Sequence, residues 1–259
     1  MDLLGISEAK FFTFLLILLR IGSLFTFAPV FGIAVIPLRV KAAAALALAV
    51  SLSVLNVGGT APVPPGLSGL IAAVVQEIVV GLLLGLVARL FFAAIEFGGQ
   101  LVGLQMGLGI VSMLDPEFET QVSVLSQVQL ILATLLFLAI GGERMLIEAF
   151  AGNLEKIRPG GPIVAAPAFR ALVTFAGEIF SAGLQISAPV VVSLLATQII
   201  LGVMARSVPQ MNMLILGFPL QIFFGLAILA LSLPAWARAV LAAFARMFEA
   251  LSGFSSLLR

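Results

Sequence analysis

The sequence contains no cysteine, no histidine and no tyrosine. The missing thiol and imidazole groups exclude disulfides, thiol chemistry, haem ligation by histidine, most transition-metal sites and every Ser-His or Cys-His catalytic arrangement. Hydrolysis inside a membrane would have to use Asp, Glu or Lys alone. We therefore expect no metal and no cofactor, and an intramembrane hydrolase is a poor fit because the sequence has no histidine and no paired acids on a strong helix.

Charge is also scarce. Only 10% of the 259 residues are charged, whereas soluble domains carry about 25%. The net charge of +1 without a basic tract argues against nucleic acid as a partner and against a polybasic lipid anchor. With 62% hydrophobic residues and a mean hydropathy of +1.26, the composition is that of a membrane protein.

The hydrophobic residues are gathered in long runs. Several of these runs exceed the roughly 20 residues with which a helix crosses a hydrocarbon core. The acids before the first run, and the absence of a small-residue cleavage site after it, argue against a cleaved signal peptide. The fold class predicted is an all-α, polytopic helical membrane protein. The charge-free runs are 21–38, 42–76, 120–142, 179–205 and 207–237.

Proline and glycine divide the chain into about six long apolar helical segments, forming proline-broken helical hairpins. The first helix is predicted over 7–28, the second over 39–57, and an unusually long third from about Leu70. The glycine pair at 141 and 142 ends the fourth. A short helix and a loop at an aqueous surface are expected to follow.

The later part of the chain is predicted to be broken more often. Pro189 is expected to interrupt one apolar helix, and Pro219 lies inside the next. The tail 234–259 is amphipathic, with Leu241 and Phe244 on one face and Arg238 on the other, and either lies on a membrane surface or docks on a partner.

Several charges lie within or beside apolar helices, where each needs a partner or contact with protein or water. Glu96 follows Arg89 by two turns, so these two cannot neutralise each other within their helix. Two interpretations stay open for the set: an ion or proton relay, or charges buried at helix or subunit contacts. The residues concerned are Arg20, Glu77, Arg89, Glu96 and Glu178.

Glycines recur at four-residue spacing in the third helix, at Gly81 and Gly85 and again from Gly99 to Gly107. This spacing lets helix backbones approach closely and indicates ordinary helix packing. From Gly107 the glycines become irregular and the run ends in Asp-Pro, which disfavours helix. We expect a glycine- and methionine-rich loop within 102–121, either a connector at the water interface or a gate.

A second polar turn is predicted between two apolar arms. The residues that define it are Arg206, Pro209, Gln210 and Asn212. A helical hairpin turn is the interpretation that their chemistry supports.

The stretches "RIGSLFTFAPVFGIAVIPLRVKAAAALALAVSL", "QEIVVGLLLGL", "GGQLVGLQMGLGIVSMLDP" and "RSVPQMNMLILGFPLQIFFGL" resemble the FliR family of type III export apparatus proteins. The resemblance covers nearly the whole length. It implies that residues 1–259 are a single, non-enzymatic export-gate module. A flagellum and an injection device both remain open as the structure that the system builds.

The resemblance also implies partner proteins and a cellular location. It implies that the helices pack into a hetero-oligomeric helical pore assembly with FliP and FliQ, with contacts to FlhB and FlhA and unfolded flagellar proteins in transit. The implied location is the lipid of the bacterial inner membrane, in the export apparatus of the flagellar basal body. The complex is expected to be raised toward the periplasmic side of this membrane.

The family's central loop plugs the closed pore. By resemblance the plug corresponds to Gln105, Met106, Gly107, Leu108, Gly109, Ile110, Val111, Ser112, Met113, Leu114, Asp115 and Pro116. The alternative function is a polytopic secondary transporter or small-solute channel that uses Glu77, Arg89, Glu96 and Glu178 as its pathway.

Overall fold

The computed structural model describes residues 7–32, 36–108, 124–162, 165–207 and 213–257. These residues form seven α-helices, and no β-strand occurs among them. The predicted all-α, polytopic helical fold is therefore confirmed. The helices are α1 (Glu8–Phe27), α2 (Leu38–Val54), α3 (Leu67–Gln105), α4 (Val124–Ala139), α5 (Gly142–Lys156), α6 (Ala165–Ser207) and α7 (Met213–Leu257).

Four of the helices are long and apolar enough to cross a membrane: α1, α3, α6 and α7. The pair α4 and α5 meets the same criterion only together, as one span broken near Gly141, whose φ is +70°. With 17 residues, α2 is about 26 Å long, and it begins beside Arg39 and Lys41. The described residues therefore hold four or five candidate spans, where the sequence predicted about six long apolar segments.

The break predicted between the first two helices is present. α1 ends at Phe27, and Pro37, with φ −56° and ψ 140°, precedes α2 as its N-cap residue. That extended backbone ends the connection, and the proline needs no hydrogen-bond donor at a helix start.

The interruption predicted at Pro189 is wrong, because α6 continues through this residue. The tail from Pro234 is likewise the continuation of α7, which contains Pro219 and Pro234. A proline removes only one backbone hydrogen bond. In an apolar helix every other backbone group still needs its helical partner, so the helix resumes on both sides.

The chain divides into two compact units. Unit 1 comprises residues 1–90, 141–176 and 245–259, and unit 2 comprises 91–140 and 177–244. Each of the helices α3, α6 and α7 contributes residues to both units. The single export-gate module expected from the resemblance stays a prediction.

Within unit 1, α1 and α3 touch backbone to backbone at two glycines. A Cβ at Gly81 would overlap the carbonyl oxygen of Arg20 and the hydroxyl of Ser23. A Cβ at Gly85 would lie 2.6 Å from the carbonyl oxygen of Leu24. The four-residue spacing of Gly81 and Gly85 is therefore used for a close helix crossing.

The glycine- and proline-rich segment between α2 and α3 packs onto α1 in unit 1. The Ala61 N–H donates to Thr13 Oγ1 at 2.8 Å, and this hydroxyl donates to the Ala9 carbonyl at 2.7 Å. Ala61 also joins an apolar cluster with Phe12 and Leu16. One threonine in an apolar helix thus satisfies a buried backbone donor of the segment.

Unit 2 has an aromatic core. The rings of Phe92, Phe137 and Phe244 lie with centroids 5.3 to 5.5 Å apart. A second close helix contact lies nearby in the chain, where a Cβ at Gly98 would come within 2.9 Å of the Gly183 carbonyl oxygen. Aromatic packing and a glycine contact therefore bring α3, α4, α6 and α7 together within this unit.

Candidate functional site: the end of α3 and a buried ion pair

The predicted loop begins in unit 2 where α3 ends in a Schellman motif. Gly107 adopts φ +78°, its N–H donates to the Leu104 carbonyl at 3.0 Å, and the Leu108 N–H donates to the Gly103 carbonyl at 3.1 Å. These are the two hydrogen bonds of that motif, and the left-handed residue is glycine because a Cβ disfavours positive φ. The helix therefore stops at a position that the irregular glycines indicated.

Met106 lies just before this stop and is fully buried. It belongs to a hydrophobic cluster with Val102, Leu125 and Leu194. A Cβ at Gly225 on α7 would lie 2.7 to 2.9 Å from three atoms of the Met106 side chain. The thioether therefore lies directly over a position where α7 carries no side chain.

A polar contact accompanies this packing. Gln198 on α6 donates its Nε2–H to the Gln105 carbonyl oxygen at 3.2 Å and to the Gln105 Oε1 at 3.3 Å. The carbonyl of Gln105 belongs to the last helical residue and has no partner further along the helix. The Gln198 amide thus satisfies a carbonyl that the end of α3 leaves open.

The structure describes only the first part of the predicted plug. Gln105 is the last residue of α3 rather than a loop residue, and Met106 is packed into the core of unit 2. The residues from Gly109 to Pro116 lie outside the described residues. The plug role of the whole segment stays a prediction.

A second cluster lies in unit 1, around a buried ion pair between α1 and α3. Arg20 donates from Nη2 to Glu77 Oε1 at 2.9 Å and from Nε to Glu77 Oε2. The side chains are only 1% and 2% exposed. This is the bidentate fork in which a guanidinium matches a carboxylate best. The pair joins two helices and accounts for two of the lone charges found in the sequence.

The remaining hydrogen bonds of the ion pair go to the end of α5 and the turn that follows. Arg20 Nη1 donates to the Ile157 carbonyl at 3.0 Å and to Asn153 Oδ1 at 3.3 Å. The Gly160 N–H donates to Glu77 Oε1 at 2.8 Å. The ion pair, the end of α5 and the turn at Gly160 therefore form one hydrogen-bonded network.

The turn that supplies Gly160 belongs to the segment where the sequence predicted a loop at an aqueous surface. The turn Arg158–Gly161 is closed by a hydrogen bond from the Gly161 N–H to the Arg158 carbonyl, with Gly160 at φ +70°. Ile157 and Pro159 are buried, whereas Arg158 is exposed, and the predicted place of this loop at an aqueous surface stays a prediction. The sequence missed Asn153 and Gly160 as partners; the only signal was the "RPGG" turn itself.

The other charges have different surroundings. Arg89 and Glu178 are exposed on the chain by itself, and Glu96 is partly buried. Their predicted place at helix or subunit contacts therefore stays a prediction. Arg206 is exposed in the last turn of α6 rather than in a connecting turn. The remaining residues of that predicted hairpin turn, Pro209, Gln210 and Asn212, lie outside the described residues.

One known protein family matches most of the chain. The model of the family described as bacterial export proteins, family 1, matches residues 11–247. The chain therefore belongs to the bacterial export proteins, and the four candidate spans make it a membrane-embedded member.

Individual relatives make the assignment within this family more specific. Flagellar biosynthetic protein FliR of Aquifex aeolicus is 34% identical over 230 residues, which cover 88% of each chain. FliR of Escherichia coli is 31% identical over 217 residues, covering 84% of this chain and 82% of the relative. FliR of Bacillus subtilis is 31% identical over 218 residues, covering 81% of each. Within the bacterial export proteins, the chain belongs to the FliR family.

Proposed function

We propose that this protein is a non-enzymatic subunit of the flagellar type III protein export gate. In this proposal it forms, with FliP and FliQ, the inner-membrane pore through which unfolded flagellar proteins leave, with FlhB and FlhA as further contacts. The observation that carries the proposal is the match of nearly the whole chain to export proteins and to relatives named for flagellar biosynthesis.

The uneven burial of the candidate spans supports an assembly. The most apolar stretch of α3 is 61% buried within the chain, whereas those of α6 and α7 are 22% and 11% buried. Large apolar side chains such as Phe180, Leu184 and Ile199 on α6 are exposed. Extended apolar surfaces of this kind need cover from lipid or from other proteins. In the proposal FliP and FliQ cover part of these faces.

The segment Gln105–Pro116 is proposed as the plug of the closed pore. A closed export gate has to block ions and yet yield to a polypeptide. A segment of Gly, Met, Ile and Leu can exclude water from a constriction and fold aside when a chain pushes in. The packing of Met106 at the end of α3 supports this role, because a plug needs an attachment to the rest of the protein.

The plug is tested by deleting residues 109–114, which leaves the packed end of α3 intact. We expect the assembled complex to conduct small ions across the inner membrane while secretion persists in part. Ion flux and secretion are measured in the same cells. The control is Arg144→Met, which changes an exposed side chain of α5 outside the plug and should leave ion flux at background. Background flux in the deletion variant contradicts the plug.

The transporter alternative depends on charged residues that are available to a solute. Glu77 already accepts hydrogen bonds from Arg20 and Gly160 and is 2% exposed, which favours a structural role. Co-expression separates the two functions. A stable complex with FliP- and FliQ-like proteins supports the export gate, and saturable solute uptake by the chain alone supports the transporter.

A further inference from the structure

We propose that one exposed face of α6 binds an apolar helix of a partner subunit, and that this helix carries a lysine or an arginine opposite Glu178. The inference rests on the proposed export-gate function and names the chemistry of one contact in that assembly. We define the docking face by five exposed residues: Glu178, Ser181, Gln185, Val192 and Ile199.

The spacing of these five residues places them on one side of the helix. They follow one another at intervals of three, four, seven and seven residues, which bring side chains to the same face of an α-helix. All five belong to unit 2 and to the stretch Phe169–Met204, which is long and apolar enough to cross a membrane. The docking face therefore extends about 32 Å along a candidate span.

The first support is the charge of Glu178. This exposed acid lies nine residues, or about 14 Å, inside the candidate span. Among the residues that the structure describes, it has no ion-pair or hydrogen-bond partner. A carboxylate at membrane depth is costly unless it is paired or in contact with water. Glu178 therefore needs a cation from outside the described part of the chain.

The second support is a hydrogen-bond acceptor near the middle of the span. The backbone carbonyl of Gln185 lacks its usual helical donor, because Pro189 comes four residues later and has no N–H. In membrane proteins, neighbouring helices commonly satisfy such a carbonyl. The Gln185 side chain donates its Nε2–H to Ser181 Oγ at 3.3 Å, which uses a donor within the docking face itself. A partner that brings donors and positive charge complements this half of the face.

The third support is the apolar half of the same face. Val192 is 63% exposed and Ile199 is 69% exposed. A passage filled with water would leave these two side chains hydrated at a cost, and lipid tails would leave Glu178 without a cation. A helix with one basic residue followed by apolar residues satisfies both halves, which is why we commit to that occupant.

Thiol reactivity tests whether the docking face is covered or lined by water. The chain has no cysteine, so Gln185→Cys carries its single thiol. In the purified complex we expect this thiol to react slowly with a charged, membrane-impermeant thiol reagent. The same sample unfolded in detergent gives the full reaction as a control. Rapid reaction in the folded complex would indicate a water-lined surface and overturn the inference.

A photo-cross-link in the same complex identifies the occupant. A photoreactive phenylalanine analogue at position 199 should cross-link to a partner subunit, and the linked peptide should belong to an apolar helix with a lysine or an arginine. A cross-link to lipid alone, or to a helix without a basic residue, overturns the inference.

Charge substitutions test the contact at Glu178. Glu178→Lys should lower the amount of partner subunit that copurifies about tenfold, because like charges at a contact repel strongly. Glu178→Gln removes the charge and should have a smaller effect. The matched control is Glu148→Lys, because Glu148 is exposed and pairs only at the surface with Arg144. Equal yields for Glu178→Lys and Glu148→Lys overturn the inference.

A reversed charge on the partner separates a lost contact from a misfolded chain. Replacing the basic residue of the cross-linked helix by glutamate should restore copurification of the Glu178→Lys variant. A misfolded chain would not be rescued in this way. Absence of rescue overturns the inference.

The unaltered chain is purified in parallel, so that the two proposals fail separately. If it brings down no partner subunit, the proposed export-gate function fails and the docking face fails with it. If the complex forms but the thiol at position 185 reacts rapidly, the proposed function stands and only the docking face is wrong.

Discussion

The ion pair of unit 1 and the end of α3 in unit 2 are held by different kinds of contact. Around Arg20 and Glu77, directional hydrogen bonds join α1, α3, α5 and the turn at Gly160. Around Met106, apolar side chains and one glycine supply the contact, and Gln198 adds the polar contribution. Each region joins helices that are far apart in the sequence. The ion pair does so through the geometry of its hydrogen bonds, and the end of α3 does so mainly through the complementary shapes of its side chains.

These two kinds of contact predict different responses to amino-acid substitution. A buried guanidinium–carboxylate fork has one good geometry, and the loss of either partner leaves a buried charge uncompensated. A cluster of flexible apolar side chains can repack around another side chain of similar volume. Unit 1 should therefore be intolerant at its ion pair, and unit 2 should tolerate substitution near its proposed gate as long as volume is kept.

The largest effect is expected for Arg20→Met. It leaves the Glu77 carboxylate buried without its cation and should lower the free energy of unfolding by about 3 to 5 kcal/mol. Unfolding in mixed micelles, followed by circular dichroism, measures the change. The control is Arg144→Met, which breaks the exposed Arg144–Glu148 pair and should have little effect.

The double variant Arg20→Met/Glu77→Met sharpens this prediction. It removes both charges and should recover most of the loss, because an apolar pair of similar volume can replace a buried ion pair. A double variant as unstable as Arg20→Met would show that the hydrogen bonds to α5 and to Gly160, rather than the charge pair, dominate.

A smaller effect is expected for Gly81→Ala. The added methyl group would overlap the Arg20 carbonyl oxygen, so α1 and α3 would have to separate, at a cost of about 1 to 3 kcal/mol. The same unfolding measurement applies. Gly22→Ala on α1 is the matched control, because a Cβ at Gly22 meets nothing within 4 Å. Equal stability of the two variants would show that this crossing is not tightly packed.

The smallest effect is expected for Met106→Leu in unit 2. A volume-conserving swap should cost less than about 1.5 kcal/mol, because Val102, Leu125 and Leu194 can adjust. The corresponding conservative change in unit 1, Arg20→Lys, loses the fork and should cost more. If Met106→Leu is the more damaging of the two in the micelle measurement, the contrast between directional and shape-based contact is wrong.

Local sequence signals predicted most of the helical architecture. The expected helix 7–28 corresponds to α1, and the expected long third helix corresponds to the 39 residues of α3. Gly107 marked the stop of α3, and Gly141 the end of the fourth helix. These signals are reliable because the extent of an apolar run and the backbone conformation of a glycine depend mainly on neighbouring residues in the sequence.

Proline was a less reliable guide. Two prolines, together with Gly32, mark the helix break between α1 and α2. The prolines within α6 and α7 do not break their helices. A lone proline removes one hydrogen bond, and the packing of a long apolar helix outweighs that loss.

By itself, the sequence determined that this is an apolar, helical membrane protein, because composition and run length act without tertiary context. It also carried the resemblance to the FliR family. Only the tertiary structure decided that Arg20 pairs with Glu77, 57 residues away, and that Gly225 makes room for Met106. No local pattern encodes such partners. A charge in an apolar helix signals that a partner is needed, but its identity depends on which helices the packing brings together.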